Sequence, residues 1–138
     1  MSHAIENLIS AQKQAMSGRP KLGGFPYMAE IFWMAGITKN IWQLPSCQSL
    51  YLTKSGPVMT QGTPLVTGMT DVPAFDQAAL IQALREDQSG NSTFPQFLMA
   101  AWQAGVVSYE VDLIQRKVTY FGCYGEMYEE EYPYVQIG

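Results

Sequence analysis

The sequence predicts an α+β fold: a tandem duplicated αα-ββ unit with pseudo-two-fold symmetry, its helices packed on one face of a mostly antiparallel sheet. Three observations predict it. Residues 25–66 align without a gap on residues 94–135, with 10 identities in 42 positions, against about two to three by chance at average composition. The segments before each copy carry helical periodicity. The segments after carry alternating, β-branched and aromatic runs joined by short turns. A two-helix, two-strand unit cannot cover its own sheet face, so two hairpins sharing one sheet are the natural solution. The reading is one domain, 1–138, made of two repeats at about 3–69 and 73–138.

The first helix of each unit is expected at about 3–17 and 76–88. Ile5, Leu8, Ile9, Gln12 and Met16 mark the stripe in one, and Leu80, Ile81 and Leu84 in the other. Asp76 suits an N-cap, and Gly18 and Gly90 suit left-handed residues after the last turn. The second helices begin at Phe25-Pro26 and Phe94-Pro95, where proline costs no hydrogen bond. Thr93 with Gln96 fits a capping box, and Gly36 and Gly105 end the helices. Hairpins follow at Thr38–Leu44 with Gln48–Thr53, and at Val107–Leu113 with Lys117–Phe121. Third strands are expected near 57–61 and 126–130. Fourth strands are expected near 65–68 and 134–137, demoted to edges by Pro64 and Pro133. The copies differ in one loop, RPKLGG at 19–24 against NST at 91–93.

The 138 residues carry a net charge of −4 and only 14% charged residues. That balance argues against nucleic acid or an anionic membrane as a partner. The charge is uneven: residues 1–70 hold five basic and two acidic groups, and residues 71–138 hold three basic and ten acidic. No secretory leader or membrane span is evident, so a soluble cytoplasmic protein is expected. Two cysteines, Cys47 and Cys123, are too few for a disulfide framework.

Three stretches, TFPQFLMAAWQAGVVSYEVDLIQRKVTYFG, NIWQLPSCQSLYLT and QGTPLVTGMTDVPAF, resemble the YbcV-like family of enterobacterial and prophage proteins, labelled phage envelope protein-like. The resemblance spans essentially the whole chain. It implies no established activity and supplies no catalytic residues.

No catalytic constellation stands out. His3 is the only histidine, which excludes the usual His-rich metal sites and leaves no obvious base for a nucleophile. No metal and no cofactor are expected. Arg19, Lys21, Gly23 and Gly24 could hold an anion at the start of the second helix, although their spacing matches no phosphate loop. Glu110 and Asp112 alternate on one strand and share a face, where a pairing with Arg116 or Lys117 would make them an ordinary solvated surface. Tyr128, Glu129, Glu130, Glu131, Tyr132 and Tyr134 combine carboxylates with an interface-favoured aromatic. The aromatics Phe32, Trp33, Trp42, Tyr51, Trp102, Tyr109, Tyr120 and Phe121 could line a pocket between the units, with a packed core as the simpler reading. Two functional expectations follow. One is a non-catalytic interaction module acting on a protein partner or on itself as a homodimer, through the acidic edge or Tyr-rich tail. The other is a small-molecule binder or minor enzyme with its site at the seam between repeats. A weakly acidic nucleic-acid mimic is a third, limited by the modest charge.

Overall fold

The computed structural model describes residues 2–20 and 23–137. Helices α1 (His3–Gly18) and α2 (Gly24–Met34) lead into strands β1 (Ile37–Gln43), β2 (Gln48–Thr53) and β3 (Val58–Gln61). Helices α3 (Gln77–Gln88) and α4 (Phe94–Gln103) lead into β4 (Val106–Asp112), β5 (Lys117–Gly122) and β6 (Met127–Glu131). The six strands form one sheet in the order β3-β2-β1-β4-β5-β6, every neighbour antiparallel. The class is therefore α+β, with four helices over an antiparallel sheet.

Local chemistry sets the helix ends. Ser2, Asp76 and Thr93 accept from the backbone amides of Ile5, Ala79 and Gln96, and Thr93 with Gln96 completes a capping box. Gly36 and Gly105 carry positive φ just beyond α2 and α4, the left-handed step that stops a helix. Gly90 does the same after α3. Gly18 differs from expectation: it is the last residue of α1 and is not left-handed. Its role is steric, since a β-carbon there would overlap the Tyr27 hydroxyl of α2.

The buried stripe of α1 is Ala4, Leu8, Ala11 and Ala15, rotated from the one that the larger apolar residues suggest. Small residues let α1 lie close on α2. The rotation turns Gln12 and Met16 away from that contact.

β1 and β4 join the halves. Their pairing runs from Lys39 opposite Asp112 to Gln43 opposite Ser108, centred on Ile41 opposite Glu110. Leu44 and Leu113 extend it by donating to the carbonyls of Val107 and Thr38, each at 3.0 Å. The register is symmetric about its centre. Irregularities at Ile37/Lys39 and Val106/Ser108 are likewise matched. So are the two non-glycine residues with positive φ, Cys47 and Arg116, one in each hairpin turn. Facing residues in β3 and β6 are offset by one from this correspondence, because Tyr51 faces Val58 whereas Tyr120 faces Tyr128.

Alternation then sorts the sheet. Ser49, Tyr51, Asn40, Tyr109, Val111, Val118 and Tyr120 are buried on the helix side, while Lys39, Ile41, Glu110, Thr119 and Phe121 stay half-exposed on the other. No strand forms at 65–68 or 134–137. Those segments follow Pro64 and Pro133, and proline cannot donate to a ladder. Residues 62–76 instead cross back over the fold, tied by Leu65 N–H to Pro45 O and Asp76 N–H to Ala104 O.

One long-range ion pair also spans the halves. Glu30 of α2 is buried, and Arg116 Nε in the β4–β5 turn donates to its Oε1 at 2.6 Å. Arg116 also lies 5.0 Å over the Tyr134 ring, and its carbonyl accepts from Tyr132 N–H. The C-terminal segment is thus laid back over the joint.

Two outcomes test this frame. Gly36 and Gly105 share a left-handed conformation, but a β-carbon at Gly105 would stand 2.5 Å from Phe75 Cα and one at Gly36 only 3.6 Å from Lys54 Cβ. Urea titration should therefore find Gly36→Ala costing about 1–2 kcal/mol and Gly105→Ala clearly more, as the crossing segment must shift; equal losses would contradict the close approach. Arg116→Leu strands a buried carboxylate and should lower Tm by several degrees, while Glu30→Leu/Arg116→Leu should recover most of the loss.

Candidate functional site

Within each half the helices pack as pairs, α1 on α2 and α3 on α4. Between the pairs, over the inner face of the sheet, lies a cavity of about 860 Å³. That volume falls in the usual range of small-molecule sites, roughly 300–1,000 Å³.

Cross-strand register builds its floor. On the floor Trp42 faces Tyr109 and Tyr109 faces Tyr120, and Tyr128 opposite Tyr120 continues the row beyond the lining. Directly opposed residues on one face touch, and here the ring centroids follow at 6.1, 5.7 and 6.5 Å. Phe94, the first residue of α4, meets Trp42 edge-on at 5.4 Å. Phe25 lies at the corresponding end of α2 and meets Tyr132 edge-on at 5.2 Å. The Phe-Pro pair thus starts each second helix and places an aromatic ring at the cavity.

Polar groups interrupt this surface at few points. Tyr109 and Tyr120 are each 6% exposed. Neither hydroxyl has a hydrogen-bond partner among the described residues, and none of their buried side-chain oxygens or nitrogens is left unsatisfied, so both hydroxyls border the open space. Burial raises both phenols well above their usual range; they stay protonated, with their donors unused among the described residues. The Tyr51 hydroxyl faces Ser49 and Gln12, and burial raises it too. Asn40 donates to Ser49 Oγ at 2.7 Å and to Leu50 O at 3.1 Å.

Charge is confined to the rim. Arg85 of α3 holds Glu130 of β6 through two contacts, 2.6 and 3.1 Å, and Tyr128 and Gln88 add donors. Burial pushes the Glu130 carboxyl up, but the hydrogen bonds from Arg85 and Tyr128 outweigh it and hold the group below its ordinary value. Asp87 has the opposite balance: burial raises it, and Arg19 and Ser92 only partly offset that. Arg19, Asp87, Met16 and Phe94 also border an adjoining recess of about 380 Å³.

Of the residues singled out in the sequence, Arg19, Gly23 and Gly24 lie on the cavity, and Lys21 lies outside the described residues. Glu110 and Asp112 are on the opposite, open face. Asp112 Oδ1 accepts from Ile114 and Gln115 N–H and so shapes the turn. Neither pairs with Arg116 or Lys117, which reach Glu30 and Glu129 instead. Glu130, Glu131 and Tyr132 border the cavity, Tyr132 against Phe25, whereas Glu129 and Tyr134 are exposed away from it. Among the aromatics, Phe32, Trp42, Tyr51, Tyr109 and Tyr120 line the cavity. Trp102 is core, Trp33 is 47% exposed and Phe121 is on the open face. Gln12, Asp87 and Phe97 line the cavity too and were not anticipated; the rotated stripe of α1 is the one signal that points to Gln12.

Catalytic chemistry finds little here. Cys47 is buried, donates to Leu44 O, and has its thiol raised by that burial. Cys123 and His3 are exposed. No group of three or more metal-ligating side chains occurs among the described residues, and no helix among them is long and apolar enough to cross a membrane.

Fold and site together define a helix-backed antiparallel-sheet protein with an aromatic cavity at its centre. The chain belongs to the DUF1398 family of proteins of unknown function, whose pattern it matches over residues 13–131. Uncharacterized proteins of Mycobacterium bovis and Mycobacterium tuberculosis are 50% identical to it over 136 residues, covering 99% of this chain and 83% of each relative.

The rim carboxylates give opposite pH signatures. Glu130, held low, contributes stability above the ordinary carboxylate range of about 4.3 that is lost on acidification. Asp87, held high, opposes folding once ionised. At neutral pH, Glu130→Gln should therefore lower Tm and Asp87→Asn should raise it. Both differences should shrink as the pH falls below the ordinary carboxylate range, that of Glu130→Gln last because its carboxyl is held low, as followed by thermal melts across the range.

Proposed function

We propose that this protein is a non-catalytic binding protein for a small, largely apolar molecule held in the cavity between its two helix pairs. One observation carries the reading: a cavity of about 860 Å³ floored by three cross-strand aromatics, Trp42, Tyr109 and Tyr120, with two tyrosine hydroxyls free to donate. A well-packed core leaves few voids larger than water. Aromatic walls with a few convergent polar groups are the general form of a ligand site. The raised phenols suit donation to a ligand oxygen and are poor bases, which favours binding over turnover.

The two like halves support an origin by duplication of one ααβββ unit, consistent with the 10 identities at constant spacing and the symmetric β1–β4 register. A prophage origin, suggested by the YbcV-like resemblance, and a cytoplasmic location are compatible with this role. The interaction-module reading keeps Glu129 and exposed Met127 on the outward side of β6 as its surface. It has less support, because Glu130 and Tyr132 are engaged within the chain.

Titration with N-phenyl-1-naphthylamine, an uncharged aromatic fluorophore, tests the cavity. Saturable one-to-one binding is expected, with a raised Tm in its presence. Val111→Phe adds a ring to the cavity lining and should abolish that binding without lowering Tm. Non-saturable fluorescence, or binding indifferent to Val111→Phe, would sink the reading.

A further inference from the structure

Resting on that reading, we infer that the cavity selects ligands bearing an anionic group beside their apolar body, held where Arg19 meets the start of α2. The two helix pairs meet the cavity with unlike N-termini. At α4 the Thr93–Gln96 capping box occupies the first amides. At α2 the N-cap is Gly23, left-handed at φ 69, and no side chain caps it. The first amides of a helix lack intrahelical acceptors, and the helix dipole favours negative charge there. Among the described residues the amides of Gly24 and Phe25 have no acceptor.

A bare helix end is weak ground alone, and three further features point the same way. Arg19 folds directly over Gly24, its Cγ 3.0 Å from where a β-carbon would stand and its Nη1 3.9 Å from Met28 Sδ, so an exposed cation sits beside these amides. Arg19 makes no ion pair within 4.0 Å among the described residues, whereas Arg85 and Arg116 are both held by carboxylates. The buried Tyr109 and Tyr120 hydroxyls open into the same cavity without partners among the described residues, so the cavity offers donors to a polar ligand and is not merely an oily gap. Arg19, Gly23, Gly24 and Phe25 all line it.

The ligand class follows from these positions. A flat or chain-like apolar body would lie on the Trp42–Tyr109–Tyr120 floor. A carboxylate or sulfonate would take the Gly24 and Phe25 amides and the Arg19 guanidinium. Asp87 faces Arg19 across the recess and competes for it, so an arriving anion displaces a neighbour already burdened by burial.

Two probes of one skeleton separate the claims. 8-Anilinonaphthalene-1-sulfonate carries a sulfonate that N-phenyl-1-naphthylamine lacks. The native protein should bind the sulfonate about tenfold or more tightly, as a charge-assisted hydrogen bond implies. Arg19→Gln should collapse that ratio toward one. Arg19→Lys should keep part of it, and Asp87→Asn should enlarge it. Salt should weaken only the sulfonate. Equal affinity of the native protein for both probes overturns the anion site and leaves the cavity standing. Failure of both probes to bind overturns the cavity itself. A preference that survives Arg19→Gln, or is lost only in variants whose far-ultraviolet circular dichroism shows unfolding while salt has no effect on the native protein, also rejects the assignment.

Discussion

The β1–β4 pairing is the interaction on which the rest of the structure depends. Each half alone has three strands and two short helices, with one sheet face uncovered at its inner edge. Such a unit exposes a row of unpaired amides and carbonyls and is near the lower limit for independent stability. Pairing β1 with β4 turns both inner edges into a ladder and makes a six-stranded floor. Because the register centres on Ile41 and Glu110, the helix pairs are carried to opposite ends of that floor. They pack within themselves and leave the space between them open.

Other contacts reinforce this joint without creating it. The Glu30–Arg116 pair runs from α2 to the opposite hairpin. A buried pair of this kind gains little net stability over apolar packing, but its directionality fixes how α2 sits relative to β4 and β5. Arg85 and Glu130 do the same within the second half, between α3 and the edge strand. Phe25 against Tyr132 closes the C-terminal segment onto α2. Together these contacts hold the cavity walls at their ends and leave its middle to aromatic rings.

Much of the frame was legible because its signals are local. Asp76, Thr93 with Gln96, the two Phe-Pro pairs, Gly36 and Gly105 act within one turn of where they stand, and each set its boundary to within a residue or two. Alternation gave the hairpins for the same reason. The failures arise where a remote partner decides. Gly18 follows the rule for a helix stop, yet Tyr27 uses it as clearance. Trp33 and Trp102 occupy matching positions, but only Trp102 is covered. The expected 65–68 and 134–137 strands do not form although β3 and β6 each keep an outer edge, because the chain around them is tied to the hairpin turns, Leu65 N–H to Pro45 O and Tyr132 N–H to Arg116 O. Glu30 and Arg116 lie 86 residues apart, and nothing in either neighbourhood names the other. The site was legible in part: the aromatics were visible as a set, but whether they met as a core or around a space depends on which helices touch.

The unlike lining of two like halves has a consequence for how a guest would sit. A cavity with true two-fold symmetry offers every asymmetric guest two equivalent poses, end for end. Here Tyr109 stands on one side of the centre where Asn40 stands on the other, and a glycine-capped helix faces one closed by threonine. The backbone keeps the symmetry and the side chains break it. A guest would therefore meet one head and one tail, so any polarity of insertion would come from the side chains that differ between the halves and not from the shape of the frame.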